Sequence, residues 1–182
     1  MLHLDLDGLE LQLKINRFRE DLPGGSEYDN WCFTDFTVMR NGNNVYHNYK
    51  NLPWLTCNEV KKLRDTIAGI IDGSITKDKR ISFIEPDIEF EFNFDDGKFS
   101  YADMVLFYWK TERRGCLTGN RLVLSLNMYE LECVLCYLQF KTQADYNVNL
   151  FEKNCVDGVI KPDELTFKII DGKIAAGETP KY

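Results

Sequence analysis

Leucine marks every second position at the start of the chain: Leu2, Leu4 and Leu6, then Leu9, Leu11 and Leu13, with Ile15 after them. A period of two puts one face of a strand inside and the other in water. Asp7-Gly8 separates the two runs and is a type I′ hairpin signal. Leu6 and Leu9 then pair across the turn, so both runs bury the same face. DLPGGSEYDN reads as a loop. WCFTDFTVMR and NNVYHNYKNL read as a second hairpin around Asn41-Gly42.

The period then changes. Val60, Leu63, Ile67, Ile70 and Ile71 recur at helical spacing. Thr56 and Glu59 have capping-box spacing, Leu55 and Val60 form the matching hydrophobic staple, and Asp72-Gly73 supplies the stop. A second helix is predicted in the same format. Asn127 and Glu130 make its box, Leu126 and Leu131 its staple, and Met128, Leu131, Val134, Leu135 and Leu138 its apolar stripe. Between the helices lie four strand candidates: RISFIEP, the run Ile88–Asp95, YADMVLFYWK and RLVLSLN. Met104 to Trp109 is apolar throughout, which predicts a central strand covered on both faces. After Lys141 the pattern loosens into a loop-rich stretch with one short strand. LTFKIIDGKIAAG then reads as a terminal hairpin around Asp171-Gly172.

This order predicts an α+β fold: antiparallel β-sheets with two helices packed on one face, plus a C-terminal β-rich extension. Residues 1–142 form the main domain in this reading, and 143–182 pack on it.

One strand stands apart. In IEPDIEFEFNFDD, Ile88, Phe90, Phe92 and Phe94 alternate with Asp87, Glu89, Glu91, Asn93 and Asp95. The acids are expected along one exposed face, and from Asp87 to Asp95 the row spans roughly 27 Å. It holds no Lys or Arg, and neighbouring like charges repel. The expected choice is between a solvated sheet face and a surface that binds something basic.

Charge narrows the partners. The formal net charge is −7 and the pI is about 4.9. An acidic surface disfavours phosphate backbones, so no nucleic acid is expected. The N-terminus lacks the basic and apolar regions of a signal peptide, and no apolar run reaches bilayer length, so no membrane partner is expected. The six cysteines lie largely in hydrophobic segments and read as reduced, packed thiols in a cytoplasmic protein.

Little points to catalysis. His3 and His47 are the only histidines, and neither sits in a nucleophile motif. Phosphate-binding and zinc-protease motifs are missing. Cys133-Val134-Leu135-Cys136 is a single C-x-x-C, without the second pair of a structural zinc site. No cofactor and no metal are expected.

The order of EYDNW (Glu27–Trp31), a capped helix from Leu55 to Asp72, FIEPDIEFEF (Phe83–Phe92), apolar strands and a second helix ending in LQF (Leu138–Phe140) resembles WapI-type bacterial immunity proteins. The resemblance covers roughly residues 1–141. It implies a cytoplasmic, non-enzymatic inhibitor that binds a toxin domain of its own strain. The expected partner is a basic toxin domain. The candidate partner-binding residues are Asp87, Glu89, Glu91 and Asp95, with Tyr28, Asp29 and Trp31 from the loop before the third strand. Two other readings stand beside it: a ligand-binding or scaffold domain with an aromatic-lined pocket, and an enzyme with an unrecognised site. No pattern in the sequence specifies an oligomeric state.

Overall fold

A computed structural model describes residues 1–18, 30–47, 52–85, 87–110, 116–161, 167–170 and 173–176. A five-stranded and a four-stranded antiparallel sheet share one core with the helices, and the class is α+β.

The first sheet contains β1 (Leu2–Leu6), β2 (Leu9–Arg17), β3 (Trp31–Arg40), β4 (Asn43–His47) and β5 (Leu52–Thr56). Leu6 pairs with Leu9 across the turn, where Asp7 and Gly8 take φ of 53° and 87°. These are the positive dihedrals a type I′ turn demands. Asn41-Gly42 turns β3 into β4 in the same way. β4 and β5 follow one another along the same edge of β3, against Thr37–Arg40 and Trp31–Thr34 respectively.

α1 (Cys57–Ile71) starts at the predicted capping box, with Thr56 as N-cap and Glu59 bonding back to it. Val60, Leu63, Ile67 and Ile70 are buried, and Gly73 follows the C-cap with φ 79°. The second sheet runs β6 (Lys79–Ser82), β7 (Ile88–Asp95), β8 (Lys98–Lys110) and β9 (Cys116–Leu126), in that spatial order. Ile88, Phe90, Phe92, Ala102, Met104, Leu106, Leu124 and Leu126 form its buried face. β8 is central, as predicted. On its outer face Val105 is buried while Phe107 is half-buried.

α2 (Met128–Lys141) starts at the Asn127–Glu130 box and packs on α1. Its Tyr137 hydroxyl accepts a hydrogen bond from the Ile15 backbone N–H at 2.8 Å. The register of β2 against β3 slips between Ile15 and Arg17, so an α2 side chain serves the strand at its irregularity.

The C-terminal part departs from expectation. Helices number three among the described residues, because α3 (Val148–Val156) forms where a loop-rich stretch was predicted. Asn147 caps it through the Leu150 N–H, and Phe151 stacks with Phe140 and Tyr146. The chain then returns to β1. His3 N–H donates to the Val159 carbonyl at 2.7 Å and Lys161 N–H to the Met1 carbonyl at 2.8 Å, flanking a Leu2–Ile160 bridge. The extension is therefore a helix plus an edge-closing segment. The terminal hairpin is present as β10 (Phe167–Ile170) against β11 (Lys173–Ala176).

Candidate functional site

The outer face of the second sheet collects the acidic strand's polar side chains. Register fixes its rows. Arg80, Glu91, Asp103 and Ser125 lie side by side across β6 to β9, and Ser82, Glu89, Val105 and Val123 form the next row. Tyr101 and Val123 are the exposed apolar members, at 42% and 40% exposure.

The acids are not equally exposed, which corrects the expectation of a uniform solvent-facing row. The Glu89 carboxylate takes hydrogen bonds from Arg80 Nε at 3.1 Å, from Arg80 Nη2, and from Ser82 Oγ at 3.1 Å. Its side chain is only 15% exposed, against 35% for Glu91. Arg80 Nε also lies 3.6 Å from Glu91 Oε1. The row's charge thus has a local counterion, nine and eleven residues away in sequence but adjacent in the sheet. Asp95 is exposed beside the turn into β8.

Asp87 does something else. Its Oδ2 accepts a hydrogen bond from the Trp54 indole N–H at 3.1 Å, joining the two sheets, while its Oδ1 is buried without a partner. Tyr46 lies close by, and burial with the Asp87 charge pushes its phenol well above the usual range. Asp87 is thus a bracket between the two sheets. Trp31 lies half-buried on β3, in the other sheet, opposite Thr56. Tyr28 and Asp29 lie outside the described residues.

Asp103 was not singled out in the sequence. It stands directly opposite Glu91 and accepts a hydrogen bond from Ser125 Oγ. The signal was available: it sits on the outer parity of β8, in phase with Tyr101 and Val105.

Among the described residues the thiols of Cys32, Cys133, Cys136 and Cys155 are held neutral. Cys32 and Cys57 are buried with their sulfurs 3.5 Å apart. Burial raises Cys32, Cys133 and Cys155, and pushes Cys136 up to about 12. A thiol held neutral is a poor nucleophile and a poor metal ligand. Among the described residues no three His, Cys, Asp or Glu side chains gather where a metal could sit. His47 is exposed, and His3 lies 3.4 Å from Glu10 on the surface. A cavity of about 500 Å³ opens between the helices, over Ile71, Leu135, Tyr146 and Leu150. Tyr146 is its only aromatic among the described residues, so it is not an aromatic-lined pocket between sheet and helices.

The sequence model of the Immunity protein WapI-like family matches residues 1–133. The chain belongs to this WapI-like family. The match runs through both sheets and into the first turns of α2, so the outer face lies wholly within it. α3 and the segment closing the β1 edge lie beyond it. No curated protein and no solved structure matches the chain. For a WapI-like immunity protein, the family implies a protein partner and a role other than catalysis. No helix among the described residues is long and apolar enough to cross a membrane.

Proposed function

We propose that this WapI-like protein neutralises a toxin domain in the cytoplasm by binding it through the outer face of its second sheet. The observation that carries the reading is the Glu91–Asp103 pair. Two carboxylates stand directly opposite each other on adjacent strands, with Arg80 beside only one of them. Like charges directly opposite on neighbouring strands are destabilising. A basic partner relieves that repulsion on binding. Toxins that act on nucleic acid carry basic surfaces for their substrate, and an acidic face both masks such a surface and speeds encounter with it.

The test uses the cognate toxin domain, identified by capture on this chain from its own cell. Glu91→Gln with Asp103→Asn is expected to fold at least as stably as wild type, because the repulsion is gone. It should associate more slowly with the toxin domain and show a weaker dependence of association rate on salt. Unchanged association and salt slope would remove this face as the site.

A further inference from the structure

We propose that the free edge of β9 receives an extended segment of the toxin domain as an added strand, a recognition mode that rests on reading the adjoining face as toxin-binding. Sheet edges carry unpaired backbone N–H and C=O groups, and proteins protect them with short strands, charge, proline or a covering segment. Three edges here are protected in those ways. The β1 edge is closed by Val159–Lys161. β6 has four residues, including Lys79 and Arg80. The β4–β5 edge is built of two five-residue strands, one rich in Asn and one containing Pro53.

β9 is less protected: among the described residues no segment covers its edge. It runs eleven residues as CLTGNRLVLSL, with Arg121 its only charge and no proline. No strand among the described residues pairs with its far side. Between Arg121 and Leu126, alternate backbone groups bond to β8 and the remainder point away from the sheet.

The rows dictate what the added strand must carry. The row ending in Val123 is apolar at its outer end, with Val105 buried beside it, and calls for an apolar residue. The row ending in Ser125 leads back to Asp103 and Glu91. A basic side chain beside Ser125 reaches toward Asp103 across two strand spacings, about 10 Å. The occupant is thus an extended segment with an apolar and a basic residue two positions apart. Backbone pairing supplies affinity and the two side chains supply selectivity. The net charge of −7 disfavours a second copy of this chain in the same place.

Residue-resolved amide hydrogen exchange tests this, on the full chain alone and saturated with that cognate toxin domain. Alternate amides within 121–126 should slow by roughly tenfold or more on binding. The peptide Ac-TTVTKTT-amide, with Val and Lys two positions apart on one face, should protect the same amides, and Ac-TTVTETT-amide should not. Val123→Lys, at an exposed position, should leave the exchange of the free protein unchanged elsewhere and weaken toxin binding. If the Glu91 and Asp103 variants weaken binding while these amides exchange as before, the edge proposal falls and the face reading stands. If no toxin domain binds at all, both fall. Protection of the same amides in the free chain would assign the edge to the chain's own segment or to a second copy, and would overturn the proposal.

Discussion

Removing the Glu59 side chain should destabilise the protein far more than removing its counterpart Glu130. Both are the third residue of a helical capping box. Glu130 serves only its own helix end: Asn127 N–H donates to its carboxylate at 2.7 Å, in an exposed setting. Glu59 is buried, and it takes hydrogen bonds from the Thr56 N–H and Thr56 hydroxyl through one oxygen and from the Ile84 N–H through the other. It ties the start of α1 to the connection leading into the acidic strand. Losing an exposed cap costs about 1 kcal/mol. Losing a bond to a charged acceptor and stranding a part-buried N–H adds about 1.5–3 kcal/mol. Glu130→Ala should therefore cost about 1 kcal/mol and Glu59→Ala about 2.5–4 kcal/mol. At a urea slope of about 2 kcal/mol/M these are midpoint shifts of about 0.5 M and about 1.3–2 M. Glu59→Gln keeps an acceptor oxygen, and Gln is tolerated in a capping box, so it should fall between them. Equal shifts for the two alanine variants would refute the bridging role.

Tyr137→Phe should cost about 1–3 kcal/mol by leaving the buried Ile15 N–H without its acceptor, read as a lowered urea midpoint. Gly69→Ala should fail to deliver the gain of about 1 kcal/mol expected in a helix, because the new Cβ would lie 2.9 Å from Ile75 Cδ1 and 3.0 Å from Ser74 Oγ; a clear gain in thermal midpoint would refute that crowding. Burial first, then the Asp87 and Glu59 charges, push the Glu85 carboxyl above its usual range. The native state therefore keeps that proton to higher pH than the unfolded chain does, and stability falls as pH rises through the interval. Glu85→Gln should be more stable than wild type at about pH 7 and converge on it near pH 4; a constant difference would contradict the assignment. Arg80→Gln should slightly destabilise the fold, since Arg80 is 59% exposed and exposed pairs contribute about 0–1 kcal/mol, yet hasten association with the toxin domain at low salt; an unchanged rate would show that Glu89 and Glu91 do not face the partner.

Local chemistry made most elements legible. Asp7-Gly8, Asn41-Gly42 and the two capping boxes are short-range devices, and each acts where its residues stand. The strand β5 was less visible because Pro53 and a length of five residues hide its alternation. α3 was missed for a similar reason. Its stripe of Tyr146, Leu150, Phe151 and Cys155 is helical, and Asn147 is a good N-cap, but nine residues between polar loops gave too few turns to read. The site was less legible than the fold. That acids alternate with aromatics in β7 is local. That Arg80 neutralises Glu89, that Trp54 claims Asp87, and that Asp103 faces Glu91 all depend on strand register or on sheets meeting. Period-two patterning says which face a residue is on and nothing about its neighbour across the sheet.

The register also changes how the acidic face must be tested. Reversing Glu89 and Glu91 together would place two lysines against Arg80 and remove the carboxylate that holds it and Ser82. Any loss of binding would then mix a weakened β6–β7 pairing with a changed surface. Neutralising Glu91 and Asp103 limits that confusion, because Glu89 still holds Arg80 and Ser82 and an Asn at 103 still accepts from Ser125. Their neutral variants are expected to move folding and association in opposite directions. A residue that merely holds the sheet together moves both the same way. A solvated surface acid moves neither by much. Only groups kept at some expense to the fold, and used by the partner, give opposite signs, and the second sheet places that pair one strand away from its least protected edge.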